Sequence, residues 1–564
     1  MISFAAAKKR LAMPNTSWQI CILAIIGGCA SALLIILFNL SISALQNLYL
    51  SQTHDYTSLD NISRIDLPII GALVILLSSW ITGYKYLRTG IPFVLHRLKV
   101  AYGVIPYRNT LNQFFGSVVA LASGFSVGRE GPAVHLGAAC SSYIGSKLKL
   151  PYNSIRTLCA CGVAAGIAAS FNTPIAAVIF VMEVILREYK VYMFIPIMLA
   201  AIVGSMITQH VFGPAHEFEH FRQIALGYQY YPSLILLGIF LGTLAFVFNR
   251  YLVALIKYSE KYHIVPRLML AAFITGLLGY LVPFAMGIGT SAIDFSLEHQ
   301  WHFQLLAALL VAKILMTIFA LGLGIPGGIV GPILGIGAIA GTLASVIVLQ
   351  FYPSENLGSD FALMGMAGFM AATLNAPLAA LLAVLELSHQ LDVIIPAMIV
   401  ITSACLASGQ FFNNRSIFTM QLDVQGLQYR KPPIENALQK IGVLAVMNTQ
   451  FTLFNNHEMA RVEAHLTEKN AENFAIITDS DSENMQTTSY TWAERKLSED
   501  LISTDNIIQH QLWPLSGQAT LAEVYALLVE QRCGGVFIYD KTPNNIQGVV
   551  TFEQVRRYLL EGKT

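Results

Sequence analysis

Between about residues 18 and 425 the apolar positions arrive in long runs rather than in narrow stripes. The first run, over 18–48, is long enough for a spanning helix, which needs roughly 20 mostly apolar residues. Further apolar segments are expected over 67–84, 111–124, 131–148, 155–170, 173–187, 191–212, 231–257, 266–287, 302–322, 327–349, 361–373, 377–388, 391–410 and 416–423. Several are too short to span, and Gly and Pro interrupt them in mid-membrane. A broken helix in a bilayer is tolerated where protein covers it or where it lines a cavity. Such breaks point to a transporter's binding site. After about Gln425, charges, Asn and Gln return, and no membrane-length run remains. The pattern predicts an N-terminal segment over 1–17, an all-α polytopic membrane domain over 18–425, a linker over 426–437 and a small soluble α/β domain over 438–564. In the last part, 521–529 reads as a helix. Strands are expected at 535–539 and 548–551 around a turn at 542–545, with a helix to Leu560. An earlier unit ends near 474–478, and the polar run 479–504 is expected to be a loop.

Composition supports this division. The chain is 55% hydrophobic and 12% charged, where soluble domains carry roughly 25% charged residues. A net charge of +1 gives no footing for nucleic acid. Lys8, Lys9 and Arg10 precede the first run, so the N-terminus is expected in the cytoplasm, and so is the soluble tail. That run is too long for the core of a cleavable signal. Asp55, Asp60 and Asp66, against Arg64 alone, place the next loop outside. Seven cysteines form no spaced framework, which argues against disulfides and a zinc site. No enzyme, catalytic residue, metal or cofactor is expected. His135 reads as a hydrogen-bonded structural residue.

Three breaks carry candidate chemistry. Gly128-Arg129-Glu130-Gly131-Pro132 interrupts apolar sequence, and a helix is expected to start at Pro132, where a missing N–H costs nothing. The first N–H groups of a helix are unpaired and carry partial positive charge, which makes an anion site. Glu130 lies inside it, so a fixed carboxylate can take the anion's place. Carboxylates in membrane segments are expensive and functional by default. The second break, from Gly322 through Pro326, Gly327, Gly328, Ile329, Val330 and Gly331 to Pro332, is uncharged and can start another such helix. The third is Arg88-Thr89-Gly90-Ile91-Pro92, with a hydroxyl beside a glycine turn. An internal repeat runs through the chain. Residues 162–177 match 365–380, and one offset brings Asn172 onto Asn375, Pro174 onto Pro377 and Glu183 onto Glu386. Two repeats meeting at a central site is a transporter plan.

In this order and spacing, these motifs resemble the CLC chloride channels and chloride/proton exchangers over roughly residues 18–425. The tail resembles a pair of CBS domains with a degenerate first unit. The resemblance implies two inverted repeats of broken and tilted helices, a homodimer in the lipid bilayer, and one anion path per subunit. It implies Glu130 as the gating glutamate. Thr89, Gly90, Arg129 and Gly131, with the amides of Ile329 and Val330, would surround the anion. The family's tyrosine position holds Phe418, and its usual phenylalanine in the uncharged break is Val330. One donor is lost, so a weaker central site is expected.

The inner proton-carrying glutamate of the exchangers falls on Val184, where the family's channel members also have valine. Glu183, one residue earlier, is either a helix-end carboxylate near the interface or a displaced proton relay. The expected function is a passive, glutamate-gated, voltage-dependent chloride channel. The alternative is a chloride/proton antiporter that uses Glu183 or water. Gly131-Pro132 argues against the fluoride-specific branch, and Thr89 argues against nitrate preference, which goes with proline there. Gln554 stands where nucleotide-binding CBS pairs have an aspartate. This argues against a bound nucleotide and for a packing or dimerising tail. Short loops and a compact tail suggest a bacterial inner membrane.

Overall fold

The computed structural model describes residues 4–84, 89–213, 226–297, 302–351, 357–427, 429–430, 432–467, 474–480, 488–495, 507–540, 542–543 and 545–561. Arg88 of the third break lies outside them. The chain divides into two compact units, one of residues 20–144 and 156–429, the other of residues 1–19, 145–155 and 430–564.

The larger unit is helical. Its elements are α2 (Trp18–Gln46), α3 (Ser63–Thr82), α4 (Gly90–Val100), α5 (Tyr107–Ala122), α6 (Glu130–Lys147), α7 (Tyr152–Phe171), α8 (Pro174–Phe180), α9 (Val191–Phe212), α10 (Tyr231–Ser259), α11 (Ile264–Leu281), α12 (Thr290–Leu297), α13 (Phe303–Leu323), α14 (Val330–Val348), α15 (Leu357–Leu374), α16 (Pro377–Ser388), α17 (Ile394–Leu406) and α18 (Ile417–Val424). Ten helices among the described residues are long and apolar enough to cross a membrane. α8 continues as a π-turn over Val181–Leu186. Helices α2, α3 and α11 present Leu33, Leu37, Leu73, Leu77, Phe273 and Leu277 outward. Exposed leucines in that number suit lipid, where a helix has satisfied its own backbone. α7 and α15 are buried along nearly their whole length.

Small residues decide how closely the inner helices approach. A Cβ on Gly137 would collide with the carbonyl of Gly162, and one on Gly162 with the carbonyl of Gly137. The second half repeats the contact, Gly337 against Gly365. Helix pairs in lipid gain by such close backbone packing, because no hydrophobic force drives them together. The Asn-x-Pro breaks are also the same in both halves. Asn172 and Asn375 sit in the left-handed region, at φ 56° and 53°, and Pro174 and Pro377 open α8 and α16. Asparagine tolerates that conformation better than most residues, and proline costs nothing at the first helical position.

The two halves interlock reciprocally. Glu183 accepts hydrogen bonds from the amides of Leu378 (3.3 Å) and Ala379 (2.7 Å), at the start of α16. Glu386 accepts them from Ile175 (2.9 Å) and Ala176 (2.7 Å), at the start of α8. Each carboxylate caps the positive end of a helix in the other repeat. Reciprocal exchange of this kind marks a two-fold relation between the repeats.

The second unit contains α1 (Phe4–Ala12), α19 (Pro433–Leu438), α20 (Val443–Val446), α21 (Met459–Thr467), α22 (Leu521–Leu528), α23 (Phe552–Glu561) and six strands. These are β1 (Phe451–Asn455), β2 (Phe474–Ser480), β3 (Thr488–Arg495), β4 (Ile507–Ser516), β5 (Gly535–Tyr539) and β6 (Ile546–Thr551), in the sheet order β1-β2-β3-β4-β5-β6. β1 and β2 are parallel and joined through α21, as β4 and β5 are through α22. The other neighbours are antiparallel. Strand, helix, strand, strand therefore occurs twice, which is the CBS-like pair. Val443, Leu521, Val524, Val536, Ile538 and Val550 fill one core, with Ala12 against them. Gly442 donates to the carbonyl of Ala12 at 2.9 Å, and Tyr152 to that of Gln518 at 2.8 Å.

One expectation fails here. The run 479–504, expected as a loop, contains β3. Tyr490 and Ala493 of that strand are buried, and two apolar positions among polar ones were too few to reveal it.

Candidate functional site

The charged break and the uncharged break meet. Gly128 and Gly328 exchange both backbone hydrogen bonds, at 2.8 and 2.7 Å, as a short antiparallel bridge. A Cβ on either glycine would meet the Glu130 carboxyl group, and one on Gly328 would also come within 2.5 Å of the Gly131 amide. A Cβ on Gly131 would come within 2.8 Å of the Gly327 carbonyl. Glycine is used here for close approach rather than for flexibility.

α6 starts at Glu130, two residues before the expected Pro132. The carboxylate is thereby carried on the first residue of the helix. It is buried, and its Oε1 accepts a hydrogen bond from the amide of Val330, the first residue of α14. Its Oε2 has no partner among the described residues. A fixed carboxylate thus sits on a helix N-terminus belonging to the other repeat, where an anion would be bound.

Thr89, Gly90, Gly131, Ile329 and Phe418 line one cavity of about 630 Å³. They come from the starts of α4, α6 and α14 and from α18, so three positive helix ends open on it. Gly90 turns the chain at φ 77°, and the Thr89 side chain caps nothing. Arg129 is not in this wall; its guanidinium lies over the ring of Phe171 at 4.6 Å. Glu130 and Val330 border a second, almost wholly apolar cavity, with Phe171, Thr173, Ala176 and Ala379. Val184 is buried, and Glu183 is held by the amides that start α16. His135 is fully buried and stacks on Phe93 at 5.7 Å. Neither ring nitrogen has a hydrogen-bond partner among the described residues, so packing replaces the expected hydrogen bond. No group of three or more His, Cys, Asp or Glu that could hold a metal occurs among the described residues.

Several residues of the site were not anticipated. Glu260, Arg267, Gln421 and Gln425 share the wall of the large cavity. Helical spacing from Phe418 could have found Gln421 and Gln425; nothing local marks Arg267. Tyr56 donates to the carbonyls of Leu121 (2.7 Å) and Ala122 (3.0 Å), which end α5 just before the charged break. The fully buried Lys313 donates to the carbonyls of Ala285 (3.0 Å) and Gly287 (2.7 Å), and Gly287 donates to Gly124 at 3.0 Å. Together these bonds hold the break in place.

The family model described as "Voltage gated chloride channel" matches residues 70–409. A putative chloride channel protein, ClcB-like, from Ralstonia nicotianae is 31% identical over 351 residues, covering 60% of this chain and 80% of the relative. The crystal structure of a slow cyanobacterial Cl⁻/H⁺ antiporter is similar with a TM-score of 0.65 and 23% identity, over 73% of this chain and 99% of the other. That of a eukaryotic CLC transporter reaches a TM-score of 0.60 at 18% identity, over 95% of this chain and 97% of the other. At these identities the structures speak for the fold.

Proposed function

The chain belongs to the voltage-gated chloride channel family and is an integral multi-pass membrane protein; from that premise we propose that it is a passive, voltage-dependent chloride channel gated by Glu130. The observation that carries this is the Glu130 carboxylate on the amide of Val330, at the meeting of the two breaks. Ionised, it competes with chloride for the helix end; neutralised or displaced, it yields the place. Val184 supports a channel over an exchanger, because a buried valine relays no proton. The bonds that fix Glu183 to α16 support a structural carboxylate there. We further propose a homodimer with one pore per subunit, both termini in the cytoplasm, in a bacterial inner membrane. The tail packs or dimerises without nucleotide.

A second reading, chloride/proton exchange, is favoured by one feature. The apolar cavity at Glu130 also touches Ala176 and Ala379, whose amides hold Glu386 and Glu183. Water in it would join the gate to those carboxylates.

Chloride efflux from proteoliposomes, released by valinomycin, tests the proposal. Efflux above empty vesicles is expected. Efflux equal to that of empty vesicles would overturn both readings.

A further inference from the structure

The large cavity has a cation of its own. Arg267, in the first turns of α11, is half-buried, and its Nε donates to the carbonyl of Leu323 at 3.1 Å. Its guanidinium lies beside Gly324, with Nη2 3.3 Å from where a Cβ on that glycine would be. This is the root of the uncharged break that runs on to Ile329. The Nη groups have no protein acceptor among the described residues. Glu260 lines the same wall and interacts with Arg267 electrostatically, yet the two form no ion pair. Gln421 and Gln425 follow Phe418 along α18, also facing the cavity.

An isolated guanidinium is expensive in a membrane domain unless it meets an anion or water. Here it faces a space large enough for a hydrated anion. Among the described residues its one protein bond fixes its direction, and Glu260 offsets its charge without pairing with it. Phe418 supplies no hydroxyl to the inner end of the cavity, whereas the amides of Gln421 and Gln425 supply donors one and two turns further out.

Resting on the anion-transport reading above, we propose that Arg267 is the capture residue of this vestibule. It draws hydrated monovalent anions in and passes them, past Gln421 and Gln425, to the helix ends at Thr89 and Ile329. Glu260 opposes it and sets the net field. A charged cleft with low-dielectric walls raises local counter-ion concentration about tenfold or more, and the effect fades as salt screens it.

The test is chloride flux against chloride concentration in proteoliposomes, at low and at high concentration of a salt with an impermeant anion. R267Q is expected to raise half-saturating chloride about tenfold at low salt, with maximal flux kept. High salt should narrow the gap. R267K, which keeps the charge, should restore the wild-type value, and E260Q should lower it. A merely structural role for Arg267 would reduce maximal flux without the salt dependence, and R267K would not rescue it. Half-saturation unchanged in R267Q overturns the proposal. Should R267Q not fold, E260Q decides alone: lower half-saturation at low salt upholds the proposal, and no change overturns it. No flux from the wild-type protein overturns the transport reading itself, and the proposal with it.

Discussion

Glu130 on α6 accepts a hydrogen bond from the amide of Val330 on α14, a partner 200 positions further along the chain. The proposed gate therefore belongs to both repeats at once. The negative charge is what holds the carboxylate there, since a hydrogen bond to a charged group is worth about 1.5–3 kcal/mol, roughly twice a neutral one. E130Q should weaken the hold and raise chloride flux at neutral pH. Protonation does the same to the native residue, so wild-type flux should rise as pH falls, while E130Q stays flat. Flux measured from acid to neutral pH checks this; unchanged flux and pH response in E130Q would remove Glu130 as the gate.

The reciprocal caps make a second prediction. E183A removes two charge-assisted hydrogen bonds at the start of α16, and E386A removes two at the start of α8. Each bond contributes about 1.5–3 kcal/mol, so both variants should unfold in detergent at lower temperature, by similar amounts. E183Q keeps an acceptor and should be milder, with chloride flux retained. Flux lost in E183Q at unchanged thermal stability would instead make Glu183 part of the ion pathway.

The wall of the large cavity gives a third. T89P removes a hydroxyl from the start of α4 and places there the residue that goes with nitrate preference in the family. The ratio of nitrate to chloride permeability should rise. An unchanged ratio would take Thr89 out of the pore.

F418Y is the converse case, since it adds a donor to the same wall. Chloride binding measured by calorimetry should tighten by about 1.5–3 kcal/mol, roughly ten- to a hundredfold. Unchanged affinity would place Phe418 away from the bound ion.

Much of this architecture was legible in the sequence because its signals are local. Asn172 with Pro174 and Asn375 with Pro377 mark the same break in each half, and the apolar runs on either side mark the helices. The register of Glu183 with Glu386 was visible too. Their exchange of partners was not, because each bond joins positions about 200 apart in the chain. The start of α6 was placed late, since proline tolerates the third helical position as well as the first. Arg267 escaped notice for another reason: one arginine at a helix start is ordinary sequence, and only the fold puts it beside Gly324. β3 stayed hidden because its neighbours β2 and β4, not its own pattern, make it a strand.

Proton movement in proteoliposomes that hold a chloride gradient tests the central claim most directly. A pH dye would report it while valinomycin sets the membrane voltage. Rapid chloride efflux with no coupled proton signal is the predicted result. Uphill proton movement that depends on Glu130 would contradict it, and would mean that protons pass Val184 by a route the valine does not block.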